Sequence, residues 1–227
     1  MMSFKCPVCK KELIEYEGEA TCSFCGATEE ADYVCPDGHY QCEECRLATQ
    51  QEITERVCLN THLTDPVQIV NLIMKHTSFN AYGVEHHELV APAVLAALRN
   101  LNIAEVSAAR LKGSMRRASR INYGSCGSMG VCGACASAGV AVSMLLKSNY
   151  LKDRERTLTL KTVSNALMKL TELGGPRCCK YSTYASLQSA WDVLINDLNY
   201  PLEPLIITCD FKDQLPDCKK EKCPYYF

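Results

Sequence analysis

Cys6-Pro7-Val8-Cys9 and Cys22-Ser23-Phe24-Cys25, with twelve residues between them, are followed by Cys35-x3-His39-x2-Cys42-x2-Cys45. These spacings decide how the first part of the chain folds. Paired C-x-x-C knuckles place thiolates at the corners of a tetrahedron, the geometry Zn²⁺ accepts. Pro7 and Gly26 flank the knuckles where tight turns are needed, and the spacer between them accommodates a short hairpin. Cys6, Cys9, Cys22 and Cys25 thus form one expected site, and Cys35, His39, Cys42 and Cys45 a second, two zinc ions in all. Two other groupings use the same spacings. One takes Cys42, Cys45, Cys58 and His62. The other interleaves the pairs as a cross-brace, which in its middle portion, Cys22 to Cys45, resembles the RING-type zinc fold. The RING pattern closes with another C-x-x-C pair where this chain has Cys58 alone, so the likeness carries no ubiquitin-ligase reading.

Outward from these knuckles, residues 1–62 are turn-rich and poor in apolar periodicity, and hold eight of the sixteen cysteines. Such a segment lacks a conventional core, so metal has to supply its folding free energy. The texture changes near residue 64. Asp65-Pro66-Val67-Gln68 reads as a capped helix start, with Val67, Val70 and Met74 at helical spacing. Helices are expected over 88–100, 104–119, 131–147, 158–173 and 181–198, with one strand around 205–208. The fold class is therefore mainly α: a helical-bundle domain over 63–227 behind a small zinc-ribbon-like module over 1–62.

The composition is globular, 47% hydrophobic and 22% charged, with a net charge of −2 that gives no global pull toward nucleic acid. Met1-Met2-Ser3-Phe4-Lys5-Cys6 has no apolar leader segment, which points to the cytoplasm and to metal ligation rather than disulfides. Residues 121–146 carry no charge, yet include five glycines, four serines and three cysteines. They read as a tightly packed helix with a glycine-rich entry rather than a membrane span.

The helical half holds the other cysteines. Gly124-Ser125-Cys126-Gly127-Ser128-Met129-Gly130-Val131-Cys132-Gly133-Ala134-Cys135 is a glycine-rich turn running into a helix, and Gly174-Gly175-Pro176-Arg177-Cys178-Cys179 mirrors it. Free N–H groups at a helix start favour an anionic thiolate cluster, and thiols beside an arginine there are expected to have lowered pKa values. An iron–sulfur centre of the [4Fe–4S] kind is expected on Cys126, Cys132 and Cys178 or Cys179. Gly139 would let a second element approach the same helix. Cys209, Cys218 and Cys223 are three further metal-ligand candidates that ask for a fourth. Glu85, His86 and His87 form a candidate acid/base group. Lys112, Arg116 and Arg120 line one helix face and offer a contact for nucleic acid or an acidic partner.

Val84-Glu85-His86-His87-Glu88-Leu89-Val90-Ala91-Pro92, the Gly124–Ala134 run and Gly174-Gly175-Pro176-Arg177-Cys178-Cys179-Lys180 together resemble an uncharacterised cysteine-rich family of anaerobic bacteria and methanogenic archaea, over roughly residues 30–227. The resemblance implies an anaerobic setting and a metal or thiol site, and no established reaction. Some members carry a methyltransferase domain, absent here. The chain differs from the family pattern in having Cys135 and in reading Tyr82-Gly83-Val84 for His-Gly-Pro. Redox or sulfur-transfer chemistry at a cluster is the leading expectation. A zinc-dependent RNA- or protein-binding module and a metal- or cluster-trafficking protein are the alternatives, and whether the chain is an enzyme stays open.

Overall fold

The computed structural model describes residues 5–227. Residues 1–4, on which the reading of the N-terminus partly rests, lie outside them. The N-terminal part is built on one antiparallel hairpin, β1 (Ile14–Thr21) against β2 (Thr28–Val34). The Cys22–Cys25 knuckle forms its tip, so the hairpin arms are the spacers on either side of that knuckle. Most residues of both strands are solvent-exposed, as expected of a ribbon held by metal rather than by a core.

Two helices follow that the apolar pattern does not reveal, α1 (Glu43–Arg46) and α2 (Gln50–Asn60). A capping box starts α2: Thr49 accepts from the Glu52 N–H while the Glu52 carboxylate takes the Thr49 N–H at 2.8 Å. Ile53, Val57 and Cys58 on its inner face are fully buried. Thus α2 belongs to the same hydrophobic core as the helices after it.

The helical part contains α3 (Pro66–Met74), α4 (Val90–Asn100), α5 (Ala108–Ala118), the one-turn α6 (Ser125–Ser128), α7 (Gly133–Leu146), α8 (Asp153–Glu172) and α9 (Cys179–Asn196). Asp65 caps α3 as its sequence requires, accepting from the Val67 N–H at 2.8 Å. A 3-10 turn, Val84–His87, precedes α4. Ser107 caps α5, and α8 starts five residues before the expected position, with Asp153 and Glu155 in its first turn. The fully buried helix α4, Leu89 through Leu98, lies at the centre, and α7, α8 and α9 pack around one another. Nothing pairs with residues 205–208. Among the described residues they have no strand partner, and the tail is fastened instead by the Cys209 N–H to the Tyr225 carbonyl at 2.7 Å. Among the described residues no helix is long and apolar enough to cross a membrane.

Gly139 is where α7 and α8 touch. A Cβ there would meet Val163 Cγ2 at 2.5 Å and the Thr159 carbonyl at 3.3 Å. Gly139→Ala should therefore destabilise the protein by about 1–3 kcal/mol despite alanine's better helix propensity. Urea unfolding measures this, and an unchanged or raised midpoint would refute the close approach.

Candidate metal centres

The hairpin and α1 bring the N-terminal ligands into two compact quartets, Cys6–Cys9–Cys35–His39 and Cys22–Cys25–Cys42–Cys45. The pairs are interleaved, first with third and second with fourth. The expected grouping of Cys6, Cys9, Cys22 and Cys25 does not form, because β1 carries the second knuckle a full hairpin arm away from the first. In each quartet the ligand atoms lie within 4.8 Å of one another. Tetrahedral thiolates about 2.3 Å from one ion are themselves about 3.8 Å apart, so each quartet is close to single-ion size. Backbone N–H groups point at the sulfurs: Asp37 to Cys35 and Cys45 to Cys42, both at 3.4 Å. The buried Nδ1 of His39 has no hydrogen-bond partner, which suits a nitrogen available to a metal. Hydrogen bonding from Cys45 holds the Cys22 thiol below its ordinary value and raises that of Cys45. Cys58 is outside both quartets. It is fully buried, and desolvation pushes its thiol up to about 12, so it packs as a small apolar side chain.

His76 locks this module onto the helices. Its ring is almost wholly buried, edge-on to Phe24 at 5.2 Å. Nε2 bonds to the Cys45 carbonyl and Nδ1 to the Ser78 hydroxyl, each at 2.7 Å. Nothing in its sequence context, Lys75-His76-Thr77, marks it, because the contact is made across 31 residues.

A second gathering of thiols lies where α7 and α9 begin. Cys132 is the N-cap of α7 and Cys178 that of α9, with Cys179 its first residue. The Cys135 thiol hydrogen-bonds to Cys132, which lowers Cys132 and raises Cys135. The Ser182 hydroxyl of α9 reaches Cys132. Ser186, one turn on, faces Cys135, and its hydroxyl has no geometrically formed hydrogen bond within the protein. Cys179 accepts from the Gly83 N–H and lies within electrostatic range of both Cys132 and the exposed Cys126. Cys178 points elsewhere. It lines a narrow cavity with Cys209, Cys218 and Cys223.

Burial raises the thiols of Cys178, to about 11, and of Cys179. The expected lowering by Arg177 does not occur, because that guanidinium stacks on the Tyr82 ring at 4.4 Å. The cation that does face the thiols is Lys180. It is 5% exposed, lies within electrostatic range of Cys178, Cys179, Cys209 and Glu85, and donates to the Asn80 and Ala81 carbonyls at 3.3 and 3.4 Å. Burial lowers its pKa. A lysine directly after paired cysteines at a helix start was the available signal.

The three candidates on the 3-10 turn have different surroundings. The Glu85 carboxylate accepts from the Asn80 N–H at 3.3 Å and fills the space beside Gly83. His86 is fully buried, its Nδ1–H directed at the Gly83 carbonyl at 3.3 Å and its Nε2 without a partner. The His87 ring lies flat against Gly133, and its Nδ1–H donates to the Ile121 carbonyl at 3.1 Å. His87 thus lies against the residue that follows Cys132.

Desolvation depresses His86 from 6.5 to about 3, so it stays neutral near pH 7. The unfolded chain binds this proton below pH 6.5 and the folded chain does not. The associated stability is therefore present above pH 6.5 and lost as pH falls toward 3. Between pH 7 and pH 5 the wild type should lose about 2 kcal/mol more than His86→Phe, whose ring would keep the edge-on contact with Phe79. Parallel stability curves for the two proteins would refute this.

Of the basic face, Arg116 and Arg120 are exposed, whereas Lys112 is paired with Glu55 of α2 at 2.7 Å.

A small metal-binding hairpin joined to a cysteine-rich helical domain is the class this arrangement defines. The model of a family of unknown function, DUF5714, matches residues 54–226, and the chain belongs to that family. The match begins inside α2 and ends in the tail, so it includes the thiols at the starts of α7 and α9 and lacks both N-terminal quartets. No curated protein and no solved structure matches the chain.

Proposed function

We propose that the chain is a metalloprotein with two structural zinc ions in its N-terminal module and an iron–sulfur centre in its helical domain, working in redox or sulfur-transfer chemistry. The observation that carries this reading is the convergence of Cys126, Cys132, Cys135 and Cys179 on the starts of α7 and α9. Three of these thiols come from the starts of α7 and α9, and the fourth, Cys126, is exposed on the one-turn helix α6. A thiolate-bound cluster is anionic, and it would meet the N–H groups at the start of α7 and the buried ammonium of Lys180. Cys126 opens the centre to solvent on one side, where a small molecule or a protein partner would meet it. His87, packed against Gly133 at the start of α7, would serve as the acid/base group there, while neutral His86 holds the 3-10 turn in place.

The test is anaerobic purification followed by metal analysis. The expected result is about two zinc ions per chain, plus iron with a broad absorbance band near 400 nm that is diminished in Cys126→Ser/Cys132→Ser. Colourless protein holding zinc alone, after anaerobic reconstitution as well, would overturn the cluster reading. Recognition of an acidic partner through Arg116 and Arg120 has weaker support, since Lys112 of the same face is already paired within the protein.

A further inference from the structure

We infer that the tail of the chain completes a second cluster site, in which Cys178, Cys209, Cys218 and Cys223 together hold an iron–sulfur cluster separate from the one at Cys126, Cys132, Cys135 and Cys179. The four thiols line a single cavity, together with Pro176, Tyr181, Tyr184, Phe211, Leu215 and Tyr225 among others. Three of them come from the C-terminal 19 residues and one from the N-cap of α9. The three tail cysteines alone would leave a ligand set short by one, and Cys178 supplies it.

Three observations favour a cluster over other occupants. The first is spacing. Around the one cavity, Cys209 lies within electrostatic range of Cys178, Cys218 and Cys223, and Cys223 within range of Cys218, a looser grouping than the 4.8 Å quartets of the N-terminal module. A single tetrahedral ion holds its thiolates about 3.8 Å apart, whereas a polynuclear cluster holds them farther apart. The second is hydrogen bonding. The Tyr181 N–H points at Cys178 Sγ and the Phe211 N–H at Cys209 Sγ, each at 3.4 Å. Backbone donors of this kind stabilise thiolate ligands and tune the cluster. The third is the surroundings. Aromatic and aliphatic side chains form most of the wall, which also includes the buried Lys180, 5.0 Å from the Phe211 ring centroid, and the exposed Lys219.

The tail is folded to hold this arrangement. Tyr225 donates to Gln188 of α9 at 2.8 Å, and Lys75 pairs with Asp210 at 2.5 Å. These contacts keep Cys209 and Cys223 against the start of α9. The adjacent cysteines 178 and 179 are divided between the two sites, as the divergent side chains of neighbouring residues allow.

The test reconstitutes the full chain anaerobically with ferrous iron and sulfide. Two four-iron clusters correspond to about eight iron atoms per chain. Cys209→Ser/Cys223→Ser should lose about half of this iron, and Cys178→Ser should follow it. Cys126→Ser/Cys132→Ser should lose the other half, and Cys179→Ser should follow that pair. Because a variant could unfold the tail, the unmutated protein is also alkylated before and after reconstitution and mapped by mass spectrometry. Protection of Cys178, Cys209, Cys218 and Cys223 only after reconstitution supports the site. Equal labelling of these four before and after, full iron retention in the tail variants, or zinc in place of iron at the tail would each overturn it. Iron lost from the tail variants alone, with Cys126→Ser/Cys132→Ser unaffected, supports this site and overturns the centre at the start of α7.

Discussion

Removing metal from the two N-terminal quartets will unfold residues 6–45 as one unit and leave the helices standing. The interleaving requires this. Losing the ion from Cys6–Cys9–Cys35–His39 frees both ends of the hairpin, and losing it from Cys22–Cys25–Cys42–Cys45 frees the tip and α1. Neither half has an apolar core of its own, since most side chains of β1 and β2 are exposed. A structural zinc contributes about 10–16 kcal/mol to the folding of small modules, more than hairpin pairing can replace. With a strong chelator, amide exchange over 6–45 should rise to the unprotected rate while α4, α7 and α9 keep their protection. Cys22→Ser should lower binding at both quartets, and a metal content falling from about two to about one, with the other site intact, would show that the quartets are independent.

Gly133→Ala is expected to be the most damaging single methyl group in the helical domain. The new Cβ would lie 2.1 Å from His87 Cγ and 2.2 Å from its Nδ1. The ring cannot simply turn away, because Nδ1 is held by the Ile121 carbonyl. Either His87 leaves or the start of α7 moves, taking Cys132 and Cys135 with it. Overpacking of this kind costs about 3 kcal/mol. A double-mutant cycle identifies the cause. Gly133→Ala in a His87→Ala background should cost less than about 1 kcal/mol, since the methyl group then enters vacated space. An equally large loss in both backgrounds would place the clash elsewhere.

Part of this architecture was legible residue by residue. Asp65-Pro66-Val67 announces α3 because the cap, the fixed proline angle and the apolar spacing agree locally. The membrane-length uncharged run at 121–146 resolves into a packed helix, with Gly139 at the contact. What was not legible depends on contacts distant in sequence. Thr49 and Glu52 carry the signal for α2, but it lies among cysteines whose pattern dominates the segment. The apolar residues at 205–208 look like a strand, and no second strand is near enough to pair. Four knuckles at similar spacings admit several groupings, and only the hairpin's register selects one. Which of Cys178 and Cys179 faces which site is set by where α9 begins, and helix starts are the least defined feature of a sequence. Lys180 and His76 are placed by burial, which spacing alone does not report.

The interleaved quartets also have a consequence for synthesis. The ribosome delivers Cys6, Cys9, Cys22 and Cys25 before Cys35, His39, Cys42 and Cys45. For that interval the emerging chain offers a complete set of four thiols in the wrong combination, with a spacer well suited to closing around an ion. Any metal captured then has to be handed over, thiol by thiol, as the later ligands arrive. Ligand exchange is thus built into the order in which the two quartets are completed.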